Sequence, residues 1–177
     1  MINSAGKLTV RPLGNGVSGK MDYNFGGTLG GAPWSSQSES ITSAVFEPGV
    51  STNWTAYMFS GCENLATVDF SELDTSRVAD MKSMFSSCSS LTSLDLTPLD
   101  TSNVTDMTRM FANCTNLTSI DFSGFNTAQV KRMESMFVGC EKLGALDLSS
   151  FDTSNVTTMY NMFLSCNSLA SLNVSSF

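Results

Sequence analysis

Five cysteines, Cys62, Cys88, Cys114, Cys140 and Cys166, recur at an unbroken interval of 26 residues. A thiol can ligate a metal, attack an electrophile or close a disulfide, and spacing decides among these. No C-x-x-C pair exists to suggest zinc, and an odd count with one cysteine per interval is a poor disulfide framework. The expected role is a column of buried free thiols packing as small hydrophobes, which leaves the redox compartment open. Carboxylates recur at the same step: Asp69, Asp95, Asp121 and Asp147, with Asn173 in the last place. On neighbouring strands they would stand about 4.8 Å apart. Like charges that close raise one another's apparent pKa unless a cation or a basic partner lies over them. Small polar residues, among them Ser93 and Ser119, flank the column. Two readings follow: a solvated face that keeps the sheet soluble, or a binding surface for a basic patch or a cation.

Enzymatic chemistry finds little support. The chain has no histidine for general-base work, no serine has a plausible base partner, and repetition accounts for every acidic position. No catalytic residue, metal ligand or cofactor is expected. Gly14, Gly16 and Gly19 spell G-x-G-x-x-G, and Gly14 to Lys20 spells G-x-x-x-x-G-K. A phosphate loop would need Ser or Thr after the lysine, and Met21 stands there, so a glycine-rich hairpin is expected instead. Carbohydrate binding usually brings aromatic rings to stack on sugars, and the expected strand face offers none. With nine Lys and Arg residues and a net charge of −7, the chain lacks the clustered positive charge that nucleic acid requires. No window approaches the length of a membrane-spanning helix, so no membrane insertion is expected.

The elements that would position these groups follow from the repeat. In the unit from Leu91 to Cys114, Leu94 and Leu96 alternate with Ser93, Asp95 and Thr97, the period of a half-buried strand. Asp100, Thr101, Ser102 and Asn103 form a cluster of turn and cap formers. Val104, Met107, Met110, Phe111 and Cys114 then read as one apolar stripe of a helix. This predicts parallel strands near 67–70, 93–96, 119–122, 145–148 and 171–174. It also predicts helices near 78–85, 104–111, 130–137 and 156–163 on the other side. Self-similarity at this period signals a solenoid. The expected fold is α/β, a leucine-rich-repeat-like solenoid over residues 48–177, with a small glycine-rich β cap over residues 1–47. In the cap, Leu8 and Val10 predict one short strand and Met21, Tyr23 and Phe25 another. Ile41, Ala44 and Phe46 form a worn first strand, offset by 24 residues from Leu65, Val68 and Phe70.

The combination of F-D-T-S-N-V with M-x-x-M-F-x-x-C, seen from Phe151 to Cys166, closely resembles the short repeats of BspA-like leucine-rich-repeat surface proteins of bacteria, over about residues 50–177. The resemblance implies a secreted or cell-surface module with no catalytic residues to carry over. The expected function is non-enzymatic attachment to a protein or other macromolecule through the repeated polar surface. The alternative is a structural or decoration component of a virus particle or other multi-copy assembly. Met1 to Lys20 lacks the apolar centre of a secretory signal, so either a signal has been removed or the protein leaves the cell another way, for instance inside a virus particle. Phe177 falls where Phe151 does in the unit before it, just after a predicted strand. The C-terminal end is therefore expected to be covered by another copy, another protein or residues of a longer parent chain.

Overall fold

A computed structural model of the protein describes residues 1–11, 20–21 and 32–177. Eight short strands appear in it: β1 (Lys7–Val10), β2 (Lys20–Met21), β3 (Ser43–Phe46), β4 (Val50–Thr52), β5 (Thr67–Asp69), β6 (Leu73–Asp74), β7 (Ala145–Asp147) and β8 (Ser171–Asn173). They make three separate parallel sheets, in the orders β1-β3-β5, β2-β4-β6 and β7-β8. The offset of 24 read from the sequence is realised in β3 and β5, where Ser43 faces Thr67 and Ala44 faces Val68. A hairpin between β1 and β2 is not formed, because the two strands belong to different sheets. The glycine motif at 14–19 and the residues Tyr23 and Phe25 lie outside the described residues.

The expected α/β leucine-rich-repeat-like solenoid is corrected by this architecture. The described residues are mostly turn and loop, hold no α-helix and carry a single short 3-10 segment at Ser35–Ser40. No layer of helices covers a sheet. The reason lies in the backbone of the stretches read as helices. An α-helix needs φ near −63° at every position. Here φ is +53° at Ser83 and +63° at Ser87, +56° at Arg109 and +60° at Asn113, and +55° at Ser135 and +74° at Gly139. At Gly139 a side chain is barred twice over, since a Cβ would also stand 2.5 Å from Asn113 Oδ1. Every second N–H in these stretches points out of its own segment. Ser83, Phe85 and Ser87 donate to the carbonyls of Thr108, Met110 and Ala112, and Arg109, Phe111 and Asn113 donate to those of Glu134, Met136 and Val138. Alternate residues between them close tight turns, as Cys88 does on the Phe85 carbonyl. Left-handed residues other than glycine cost about 1–2 kcal/mol each, and the hydrogen bonds between units offset that.

One continuous core runs from Leu8 to Met162. Down its middle the rings of Phe59, Phe85, Phe111, Phe137 and Phe163 stack with centroids 5.5–5.9 Å apart and planes within 12°. Trp34 covers the first of these rings at 6.0 Å, and its indole N–H donates to the Met58 carbonyl at 2.8 Å. Ordinary units fill that carbonyl from a backbone N–H, so Trp34 replaces a preceding unit with one side chain. All five cysteines are free, and four are buried. The thiols are more than small hydrophobes: Cys88, Cys114, Cys140 and Cys166 donate to the carbonyls of Phe59, Phe85, Phe111 and Phe137 at 3.0–3.1 Å.

A second polar column binds each unit to the next from inside. Thr75, Thr101 and Thr127 are buried. Each hydroxyl donates to a carbonyl one unit on and accepts the N–H of the same residue. Thr101 Oγ1 donates to the Asn126 carbonyl at 3.0 Å and accepts the Asn126 N–H at 2.9 Å. The same pair of bonds joins Thr75 to Asp100 and Thr127 to Asp152.

The strands predicted at 93–96 and 119–122 are absent, although Leu94, Leu96 and Phe122 point into the core as expected. Where a ladder forms on this face, Val45 faces Asp69 and Asp147 faces Asn173. Like charge alone does not decide the pairing, since Asp80 and Asp106 form a parallel bridge.

Candidate functional site

The aspartate column is exposed along its whole length, as are Ser93 and Ser119 beside it. Each carboxylate is tied down by the chain two residues on, an Asx turn in which a side-chain oxygen accepts a backbone N–H. Asp69 accepts from Ser71 at 3.0 Å, Asp95 from Thr97 at 3.0 Å, Asp121 from Ser123 at 2.8 Å and Asp147 from Ser149 at 2.9 Å. Asn173 does the same with Ser175 at 3.2 Å. Asp95 also accepts the Thr97 hydroxyl at 2.7 Å. Hydrogen bonds from Ser71, Thr97 and Ser149 hold Asp69, Asp95 and Asp147 below the ordinary carboxylate range, and the neighbouring Asp69 opposes this only weakly at Asp95. For these three the expectation of raised pKa values is corrected.

Between the Asp121 and Asp147 segments, where the strand ladder is missing, lies an open depression of about 150 Å³ lined by Ile120, Asp121, Phe122, Ser123, Asp147, Ser149 and Ser150. Small-molecule sites run to about 300–1,000 Å³. The depression is smaller than that range. A parallel column of turn formers, Asp74, Asp100, Asn126 and Asp152, repeats the Asx geometry at 2.9–3.1 Å. Its turn role stands, and its role as a helix cap falls with the helices. Asn103 and Asn155 also bind one unit to another, donating their side-chain amides at 2.8 Å to the carbonyls of Ser76 and Ala128 in the preceding units.

Sequence reasoning missed one cluster, on the side of the tight turns. There Asp80, Asp106, Arg132 and Thr158 pair in parallel register, with Lys82, Thr108, Glu134 and Tyr160 two residues on. Arg132 reaches Glu134 Oε1 at 3.3 Å and Asp106 Oδ2 at 3.6 Å, and the Thr108 hydroxyl donates to the buried Glu134 at 2.7 Å. Burial pushes Glu134 up, but the Thr108 hydroxyl, a backbone N–H and Arg132 together leave it lowered. Asp80 goes the other way, raised by burial against the N–H of Lys82. The available signal was that these positions break the repeat. Arg132 is matched by Asp106 and Glu134, so the cluster reads as a rigidifying network between units.

Four of the five thiols are buried, with burial pushing Cys62 and Cys114 up to about 12. Among the described residues no cluster of three or more His, Cys, Asp or Glu side chains is arranged to hold a metal ion.

The repeating part of this structure coincides with a known sequence family. The family model described as "Mycoplasma protein of unknown function, DUF285" matches residues 53–177. The chain belongs to the DUF285 family. No curated protein and no solved structure matches it. The DUF285 match begins just after β4, so Trp34 and the first strands lie ahead of the family region while sharing its core. No helix among the described residues of this DUF285 chain is long and apolar enough to cross a membrane.

Proposed function

We propose that this DUF285 chain is a non-enzymatic attachment module of the BspA-like surface type, binding a basic protein partner through the Asp69, Asp95, Asp121 and Asp147 column. The observation that carries the reading is the column's pre-organisation. Four carboxylates stand exposed on one face, each fixed by its own Asx turn. A partner's Lys or Arg side chains meet charges that need no further ordering, which lowers the entropic cost of binding. A cell-surface or secreted location fits such a role. The test is binding to a lysine-rich peptide immobilised on a sensor, over a salt series. Asp95→Asn with Asp121→Asn keeps both turns, as Asn126 and Asn173 show, and removes two charges. Loss of most of the binding, with a flatter salt dependence, supports the reading. Binding unchanged by the double substitution refutes it. A second reading, a component of a multi-copy assembly, draws on the absence of Asp, Glu, Lys and Arg from residues 153–177, in a chain that is otherwise acidic.

A further inference from the structure

The units of the stack are fastened unevenly. On the side of the tight turns a run of backbone hydrogen bonds crosses from unit to unit: Tyr57, Phe59 and Gly61 donate to the carbonyls of Lys82, Met84 and Ser86, and the pattern continues to Ser135, Phe137 and Gly139. On the aspartate side the ladder forms at β3 with β5 and at β7 with β8, and stops between them. There residues 93–96 and 119–122 donate no main-chain N–H to a backbone carbonyl among the described residues. Only the start of each segment is tied, by Ser90 to the Glu63 carbonyl at 3.0 Å, Thr118 to Thr92 at 3.0 Å and Gly144 to Thr118 at 3.5 Å. The depression opens at the boundary with the longest of these bonds, and Ile120 is only partly buried there, whereas its counterparts Val68, Leu94 and Leu146 are buried. A main-chain N–H without a protein partner has to meet water. These two segments are therefore held by the side chains they bury and not by their backbone.

Elsewhere in the molecule, carboxylates do pair in a closed arrangement. Asp80 and Asp106 stand side by side in a parallel bridge, and the next place in that row is Arg132, 3.6 Å from Asp106. The column from Asp69 to Asp147 has no such cation of its own. Residues 67–75, 93–101, 119–127 and 145–153 include no Lys or Arg, and none of the column's aspartates makes a salt bridge among the described residues. A closed ladder sets neighbouring strands about 4.8 Å apart. At that spacing one ammonium or guanidinium group touches two carboxylates and offsets their repulsion. A basic partner therefore binds the closed arrangement more tightly than the open one, and that difference is what shifts the equilibrium.

We propose that the middle of the stack is hinged on its tight-turn side, and that a basic polypeptide lying along the aspartate column closes residues 93–96 and 119–122 into one ladder from β5 to β7. This rests on the attachment to a basic partner proposed above and adds its conformational consequence. Each carboxylate stays fixed within its own unit by its Asx turn; only the spacing between units changes. Binding converts a stack fastened on one side into a stack fastened on both.

The experiment is hydrogen exchange of the 177-residue chain, read by mass spectrometry with and without a decalysine peptide. In the free chain the amides of residues 93–96 and 119–122 should exchange fast, while those of Ser83, Phe85, Arg109 and Phe111 stay protected. Decalysine should slow the first group by about tenfold, within the usual range of coupling between a ligand and a conformational change. A glycine-serine peptide of the same length should leave them unchanged, as should decalysine added to Asp95→Asn with Asp121→Asn. Equal protection of the two groups in the free chain overturns the hinge. If decalysine binds through Asp95 and Asp121 but residues 93–96 and 119–122 still exchange fast, the coupling is overturned and the attachment reading stands. If decalysine does not bind, the attachment reading fails and this proposal with it.

Discussion

Replacing Thr101 with valine keeps the shape of a buried side chain and removes one hydroxyl. That hydroxyl makes two bonds to Asn126, donating to its carbonyl at 3.0 Å and accepting its N–H at 2.9 Å. Each bond contributes about 0.5–1.5 kcal/mol net, and a buried backbone group left unpaired costs about 1–3 kcal/mol. Partial relaxation toward water recovers some of this, so Thr101→Val should destabilise the chain by about 2–5 kcal/mol. For a chain of this size that lowers the melting temperature by roughly 4–20 °C. Thr101→Ser keeps the hydroxyl and should lose only about 1 kcal/mol for the missing methyl. The decisive control is Thr153→Val in the same column, because Thr153 has no following unit to bond among the described residues. That substitution should stay within about 0.5 kcal/mol of the natural chain. Urea unfolding followed by circular dichroism at one fixed protein concentration measures all three. If Thr101→Val costs no more than Thr153→Val, the hydroxyl bridges do not hold the units together and the reasoning fails.

Phe111 stacks between Phe85 at 5.5 Å and Phe137 at 5.8 Å and is fully buried, so Phe111→Ala should cost about 3–5 kcal/mol. Phe163→Ala, at the partly open end, should cost distinctly less; equal losses in thermal unfolding would contradict the stacked core. In the native state Cys166 should react with a thiol reagent well before Cys88, Cys114 and Cys140, as mass mapping of the labelled peptides would show. Because burial raises the folded thiols above their ordinary 9.0, to about 12 at Cys62 and Cys114, their contribution is complete below pH 9 and is lost as pH rises toward 12. A stability that stays flat across that alkaline window would count against it. Asp95→Asn with Asp121→Asn keeps the turns but exchanges charge-assisted hydrogen bonds for neutral ones, so it should slightly lower the melting temperature at neutral pH. A clear rise in the melting temperature would show that repulsion along the column outweighs those bonds.

The apolar columns were legible in the sequence because burial depends only on which residues face inward, and Met84, Phe85, Cys88 and Leu91 do so whatever the backbone does. The backbone itself was not legible from that stripe. Apolar steps of three, three, one and three fit one face of a helix, and they fit equally well a run of tight turns in which every fourth residue is left-handed. Propensity held the better clue. The residues just before the cysteines, Gly61, Ser87, Asn113, Gly139 and Ser165, all have positive φ, and two are glycine and one asparagine. Those are residue types that tolerate that region and end helices.

The candidate site poses a harder problem, because its residues have a structural duty that by itself explains their recurrence. The pairs Asp69 and Ser71, Asp95 and Thr97, Asp121 and Ser123, and Asp147 and Ser149 are Asx turns first. A carboxylate and an amide perform that duty alike, as Asn126 and Asn173 demonstrate. Recurrence of the turn therefore carries no information about function, whereas the choice of aspartate over asparagine does. The turn is indifferent to charge, so aspartate is not needed to make it. Four aspartates stand in succession on an exposed face, and Asn173 takes the last place, in a unit whose other charges are also gone. An uninterrupted run of like charge is the feature that the turn leaves unexplained, and it is the feature on which the proposed attachment to a basic partner rests.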